Sequence, residues 1–148
     1  MDSPFLTLAV ITTGLYAGFM LTFLVAIMPG LAALSDEQFT TAMRRFNEKV
    51  PGPVFLVLFV GVIVFPAVVT FTGNGEHEWP LVAVALACAV VSHLVTIVGN
   101  IPLNKALAES EGGDDSAART AFEAHWNALH RFRTALSLLA FALLAAAG

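Results

Sequence analysis

From Ser3 to Ser35, from Val50 to Gly75 and from Trp79 to Asn104 the chain carries no Asp, Glu, Lys or Arg. Each run exceeds the ~20 residues that a helix needs to cross the hydrocarbon core of a bilayer. In hydrocarbon every backbone N–H and C=O must be satisfied internally, so such runs are confined to helices or closed barrels. Barrel strands would alternate in polarity, and these runs do not. A fourth run, Thr134 to Gly148, is shorter and must borrow length from the residues before it. Charged residues make up only 12% of the chain, about half the ~25% of a soluble domain. The expected fold is all-α: a four-transmembrane-helix bundle forming a single integral membrane domain over residues 1–148. The expected spans are about 5–29, 53–72, 80–101 and 126–147, each long enough to cross.

The segments between the runs set the orientation. Arg44, Arg45 and Lys49 follow the first run, while Lys105, Arg119, Arg131 and Arg133 lie in or just after the third connection. The second connection, Gly73 to Trp79, holds Glu76 and Glu78 and no Lys or Arg. The positive-inside rule then puts the first and third loops in the cytoplasm and both termini outside. The expected location is a bacterial inner (plasma) membrane. Asp2 and the lack of a basic residue before the first run predict no signal peptide. The single Cys88 excludes an internal disulfide, and a net charge of −4 argues against nucleic acid as a partner. The expected partners are the lipid bilayer and a lipophilic small molecule, with self-association into a homo-oligomer left open.

Local signals fill in the path. Gly14 and Gly18 have the spacing that lets helices approach closely, with Tyr16 between them. Met28-Pro29-Gly30-Leu31 predicts a sharp break at the end of span one. Ser35 and Gln38 form a capping-box pattern, opening an amphipathic interfacial helix with Phe39, Met43, Phe46 and Val50 on one face and Arg44, Arg45 and Glu48 elsewhere. In span two, Phe55, Phe59, Phe65 and Phe71 read as packing or lipid-facing groups, and Pro66 as a kink. Glu109 to Asp115 reads as a loop, with Asp115 or Ser116 capping the last helix. That helix can run unbroken from Ser116 to Ala147, roughly 48 Å, so its first turns must leave the core. Arg131 and Arg133 then fall near the inner boundary, snorkelling or paired.

One polar stripe stands out. His93, Thr96, Asn100 and Asn104 are three, four and four residues apart, so a helix stacks them on one face. Pro102 is expected to kink or stop that helix. Polar groups in hydrocarbon are costly unless they face protein or water, so the stripe points into the bundle. The bland alternative is that these side chains only bond helices together. A shallow cluster of Asn100, Asn104, His125, Trp126, His130 and Arg133 is expected at the cytoplasmic mouth, where Trp and Arg also serve as membrane anchors. A deeper pair, His93 and Tyr16, is expected near mid-membrane. His125 and His130 point about 140° apart on a helix, which disfavours a shared metal ion. No HExxH, P-loop, CxxC, CxxCH or nucleophile elbow is present.

Gly14-Leu-Tyr-Ala-Gly18, Met28-Pro-Gly-Leu31, Met43, Asn47, Asn100-Ile-Pro-Leu-Asn104 and Trp126 with Arg133-Thr134 together resemble the DUF1772, or anthrone oxygenase-like, membrane proteins. The resemblance covers nearly the whole chain, and the NxPxN element followed by WxxxxxxRT is its most specific part. His130 departs from the Asn that many members carry. The fungal branch is associated with oxidising polyketide anthrones to anthraquinones with O₂ and no evident cofactor. The resemblance therefore implies a cofactor-independent monooxygenase acting on a lipophilic phenolic or polyketide substrate in an intramembrane cavity.

On that reading the catalytic candidates are His93, Tyr16 and His130, and Thr96, Asn100, Asn104, Trp126 and Arg133 line the site, with no metal and no cofactor. His93 is the expected base, neutral imidazole being the cheaper form at mid-membrane. His130 is the competing candidate, while Asn, Tyr or Arg stabilises the enolate oxygen. A non-catalytic bundle binding lipid or another hydrophobe, or an accessory subunit, is the alternative reading, and a small haem-binding membrane protein is the second. The orientation is testable by cysteine labelling: a thiol introduced at Gly73 or Glu78 should react with an impermeant reagent from outside. Reaction only after the inner face is opened would overturn the topology.

Overall fold

A computed structural model describes residues 3–73 and 78–148. Asp2 and residues 74–77, which include Glu76 of the acidic second connection, lie outside the described residues. Among the described residues all regular structure is helical, in five helices: α1 (Pro4–Ala32), α2 (Asp36–Lys49), α3 (Pro53–Thr72), α4 (Trp79–Glu109) and α5 (Asp115–Ala146). Four of these, α1, α3, α4 and α5, are long and apolar enough to cross a membrane. They run up and down in a ring in which α1 packs on α3 and α5, and α4 packs on the same two from the other side. Much of the outer surface is apolar, with Val54, Phe71 and Val98 more than two-thirds exposed, as suits helices turned to lipid.

The sharp break expected at Pro29 does not occur, and at Pro102, where a kink or a stop was expected, the helix does not stop. Both helices run on, because each has a π turn just upstream, at Phe23–Ile27 in α1 and Thr96–Asn100 in α4. A proline lacks an N–H and crowds the carbonyl four residues before it. For Pro29 and Pro102 those carbonyls belong to Val25 and Val98, both inside the widened turns. The wider i→i+5 spacing absorbs the misfit that would otherwise end the helix.

The connections are fastened at one end of the ring. Ser35 opens α2 with a reciprocal capping box, its Oγ accepting from Gln38 N while Gln38 Oε1 accepts from Ser35 N, both at 3.3 Å. Residue 114, rather than Asp115 or Ser116, caps α5: Asp114 Oδ1 accepts from the backbone N–H groups of Ser116 and Ala117. Asp115 is thereby free to accept from the Thr40 hydroxyl at 2.7 Å and to pair with Arg44 at 3.2 Å. Arg44 lies off the apolar face of α2, as expected, yet not in solvent. It is buried, and also donates from Nε to the Leu107 carbonyl and from Nη2 to Ser110 Oγ. Arg119 closes the other connection, donating to the carbonyls of Ala32 and Leu34 at the end of α1 and to Asp36 and Glu123. The Ala32 carbonyl is among the ones a helix terminus leaves unpaired.

The small-residue pair in α1 divides unequally. A Cβ on Gly14 would lie 2.8 Å from the Phe141 ring, whereas one on Gly18 would meet nothing within 4 Å. Only Gly14 serves helix contact, and Gly18 is exposed. Gly14→Leu should therefore cost about 1–3 kcal/mol through overpacking, while Gly18→Leu should be neutral within about 0.5 kcal/mol. Reversible unfolding in mixed micelles measures both; equal losses would contradict this packing.

Candidate functional site

The site grows from one face of α5. Phe122, Trp126, His130, Arg133 and Ser137 recur at spacings of four, four, three and four, and all are buried. The facing wall is the π turn of α4. Thr96 and Asn100, its first and last residues, are both buried. Phe19, Met20 and Phe23 of α1 and Phe55 and Phe59 of α3 complete the walls, and Asn47, Val50 and Pro51 form the roof. Together they enclose a cavity of about 160 Å³, close to the ~150 Å³ of an engineered apolar cavity that binds benzene. The lining is aromatic and aliphatic apart from a few polar groups at one side. Leu56 and Ile101 on its rim are half exposed, so the cavity opens between the start of α3 and the middle of α4, towards the apolar outer surface.

Trp126 organises the polar side. Its ring stacks on His130, centroids 4.7 Å apart and planes at 15°, and the Arg133 guanidinium carbon lies 5.3 Å from its centroid. The indole Nε1 donates to Asn104 Oδ1 at 2.9 Å, and the Trp126 carbonyl accepts from Asn100 Nδ2 at 3.3 Å. These two bonds settle which end of each amide is oxygen.

Arg133 is the central group. Its Nε and Nη2 both donate to His130 Nδ1, at 3.1 and 3.0 Å, and its Nη1 donates to Thr96 Oγ1 at 3.0 Å. The acceptors are therefore an imidazole and a hydroxyl. Accepting at Nδ1 fixes His130 as the Nε2–H tautomer, and that N–H faces the Met20 carbonyl at 2.9 Å. Among the described residues every ion pair is made by Arg44, Arg45, Lys105 or Arg119. Arg133 is buried with no carboxylate beside it. Of its five N–H groups, one on Nη1 and one on Nη2 have no partner.

The structure brings Thr96, Asn100, Asn104, Trp126, His130 and Arg133 onto one cavity. His125 does not join them: it is exposed on another face of α5. His93 is buried behind Phe59, with ring centroids 3.9 Å apart, and is not on the cavity wall. Its Nδ1 faces the Ala89 carbonyl at 3.0 Å and its Nε2 the Phe59 carbonyl at 2.7 Å. Both nitrogens thus point at acceptors, and a neutral ring can donate to only one. Tyr16 lies against His93 with ring centroids 5.6 Å apart, fully buried, its hydroxyl without a hydrogen-bond partner. Phe55, Phe59 and Asn47 are lining residues that reading the sequence missed. In an apolar span an aromatic that lines a cavity looks like one that packs or meets lipid. For Asn47 the resemblance had marked the position, but not what it faces.

The fold and site define an integral membrane helical bundle with an internal, largely aromatic cavity and, on its wall, a buried cation with no carboxylate partner among the described residues. The family model described as anthrone oxygenase matches residues 39–143, and the chain belongs to that family. The matched segment contains the α4 and α5 walls of the cavity, while Tyr16 and the rest of α1 precede it. No curated protein and no solved structure matches the chain.

The position of Trp126 supplies a direct test of the cavity. The other tryptophan, Trp79, is exposed at the far end of α4, so Trp79→Phe leaves Trp126 as the only indole emitter. A flat aromatic ligand in the cavity should then shift or quench the remaining emission saturably; a linear, non-saturating response would mean that the ligand merely dissolves in the micelle.

Proposed function

We propose that the protein catalyses cofactor-independent, O₂-dependent oxidation of a lipophilic phenolic or polyketide substrate whose ring occupies this cavity. The observation that carries the reading is Arg133, a buried guanidinium facing an apolar cavity with no carboxylate partner among the described residues. A buried charge is tolerated only when it is paired. The missing partner is best supplied by a substrate that becomes an anion in the site. An anthrone fits that description: loss of its benzylic proton gives an enolate whose negative oxygen the two unpartnered N–H groups of Arg133 can hold. Membership of the anthrone oxygenase family supports the same chemistry.

The geometry favours His130 over His93 as the base. His93 has a backbone carbonyl against each nitrogen and sits off the cavity. His130 lines the cavity, and only Arg133 covers its Nδ1 lone pair. As the oxyanion develops, Arg133 can turn its N–H groups from Nδ1 to the substrate oxygen. That uncovers the lone pair which takes the proton. The enolate then passes an electron to O₂, carbon–oxygen bond formation gives a hydroperoxide, and loss of water leaves the quinone. One O₂ is consumed per anthrone and one water is released. A lipophilic substrate reaches the cavity from the bilayer past Leu56 and Ile101. We place the end carrying Arg44, Lys105 and Arg119 in the cytoplasm, on the positive-inside rule.

Oxygen uptake by the purified protein with a synthetic anthrone tests the reading. Arg133→Gln should lower turnover by about 10²–10³, the usual cost of an oxyanion donor. His130→Ala should lower it by about 10²–10⁴, and His93→Ala by less than His130→Ala. A folded His93→Ala protein with no turnover would return the base to His93. Saturable binding with no oxygen uptake would favour the non-catalytic hydrophobe-binding bundle. The haem alternative has little support, since axial ligation by His93 or His130 would break the contacts just described.

A further inference from the structure

Asn100 is 1% exposed and lies on the cavity wall, yet its Oδ1 has no hydrogen-bond partner. Its orientation is not arbitrary. Nδ2 donates to the Trp126 carbonyl, and a carbonyl can only accept, so the amide cannot be flipped to hide the oxygen. A buried acceptor left unmade is a standing penalty, and the sequence offers an easy remedy that this chain does not use, an apolar residue at the position. Around Asn100 other polar groups on the cavity keep donors free. Arg133 has two unpartnered N–H groups, and Asn47 Nδ2 on the roof is buried without a partner. Thr96 cannot fill the gap, because its hydroxyl proton goes to the Ser92 carbonyl while its oxygen accepts from Arg133. Among these groups Asn100 Oδ1 is the vacant acceptor that is both buried and held in orientation by a hydrogen bond.

We propose that Asn100 is a specificity-determining residue whose Oδ1 accepts a ligand hydroxyl. It would make the cavity selective for hydroxyaryl compounds, phenols and the enol tautomers of aryl ketones, over their ethers. The proposal rests on the preceding reading that this cavity is the ligand site. It adds that the ligand must bring a proton donor as well as an oxygen that Arg133 can hold. A single hydroxyl can do both, since its lone pairs accept from Arg133 while its O–H donates. An aryl methyl ether keeps the acceptor and loses the donor, so the pair isolates Asn100 from Arg133. The π turn makes the arrangement available: Thr96 and Asn100 stand at its two ends on the same wall, so the vacant acceptor and the Arg133–Thr96 contact border one space.

The test is binding rather than turnover, which keeps it separate from the oxygenase reading. Full-length protein in detergent, carrying Trp79→Phe, is titrated with 1-naphthol and with 1-methoxynaphthalene, following Trp126 emission. Wild-type Asn100 should prefer the naphthol by about tenfold or more, as a site built around a hydrogen bond rejects the analogue lacking it. In Asn100→Leu the preference should fall to within about twofold, with the affinity for the ether retained. Asn100→Ala serves if the leucine variant does not fold. A wild-type ratio near one, or a preference that survives in a folded Asn100 variant, overturns the proposal. Selective binding without oxygen uptake leaves it standing and removes the oxygenase reading, while oxygen uptake without hydroxyl selectivity does the reverse.

Discussion

A guanidinium buried in an apolar bundle without a carboxylate is the constraint around which the polar interior is arranged. Arg133 cannot discharge its charge onto an acid, so the chain surrounds it with neutral groups that each accept what they can: the His130 ring, the Thr96 hydroxyl and the face of Trp126. Each of those groups is then fixed in turn. His130 is held to one tautomer and bonded to Met20. The Thr96 hydroxyl donates to the Ser92 carbonyl, and the Ser92 hydroxyl donates to the carbonyl of Arg133 itself. Trp126 is tied through Asn104 and Asn100 to α4. Remove the cation and this chain of polar bonds loses the group they converge on.

The contrast with the other buried arginine is instructive. Arg44 has the Asp115 carboxylate beside it, with a carbonyl and a hydroxyl besides, and so its charge is answered within the protein. Its work is structural: it fastens α2 to the end of α4 and the start of α5. Because Asn47, Val50 and Pro51 follow on the same segment, that fastening also sets the roof of the cavity. Two arginines of similar burial thus differ in whether a carboxylate among the described residues answers the charge.

The bundle was legible in the sequence because uncharged runs of that length admit few structures, and the inward stripe of His93, Thr96, Asn100 and Asn104 because polar groups avoid lipid. Less could be read where a backbone atom is the partner. Nothing in the sequence marks Leu107 as the acceptor for Arg44, or the carbonyls of Ala89 and Phe59 as the neighbours of His93. His93 looked available for proton transfer because it is ionisable and deep, but availability depends on what faces each nitrogen. Pro29 and Pro102 are a related case: whether a proline ends its helix depends on the preceding turn as well as on the proline itself.

Those turns have a consequence for comparing this chain with its relatives. A π turn is in effect one residue inserted into an α-helix, and it rotates everything beyond it by about 100°. Asn100 and Asn104 therefore owe their facing direction to the length of Thr96–Asn100 as much as to their identity. A homologue with the same asparagines but one residue fewer in that turn would spell the motif correctly and aim it at a different neighbour. Among such proteins a single-residue gap in the middle of a span is a more telling difference than many substitutions.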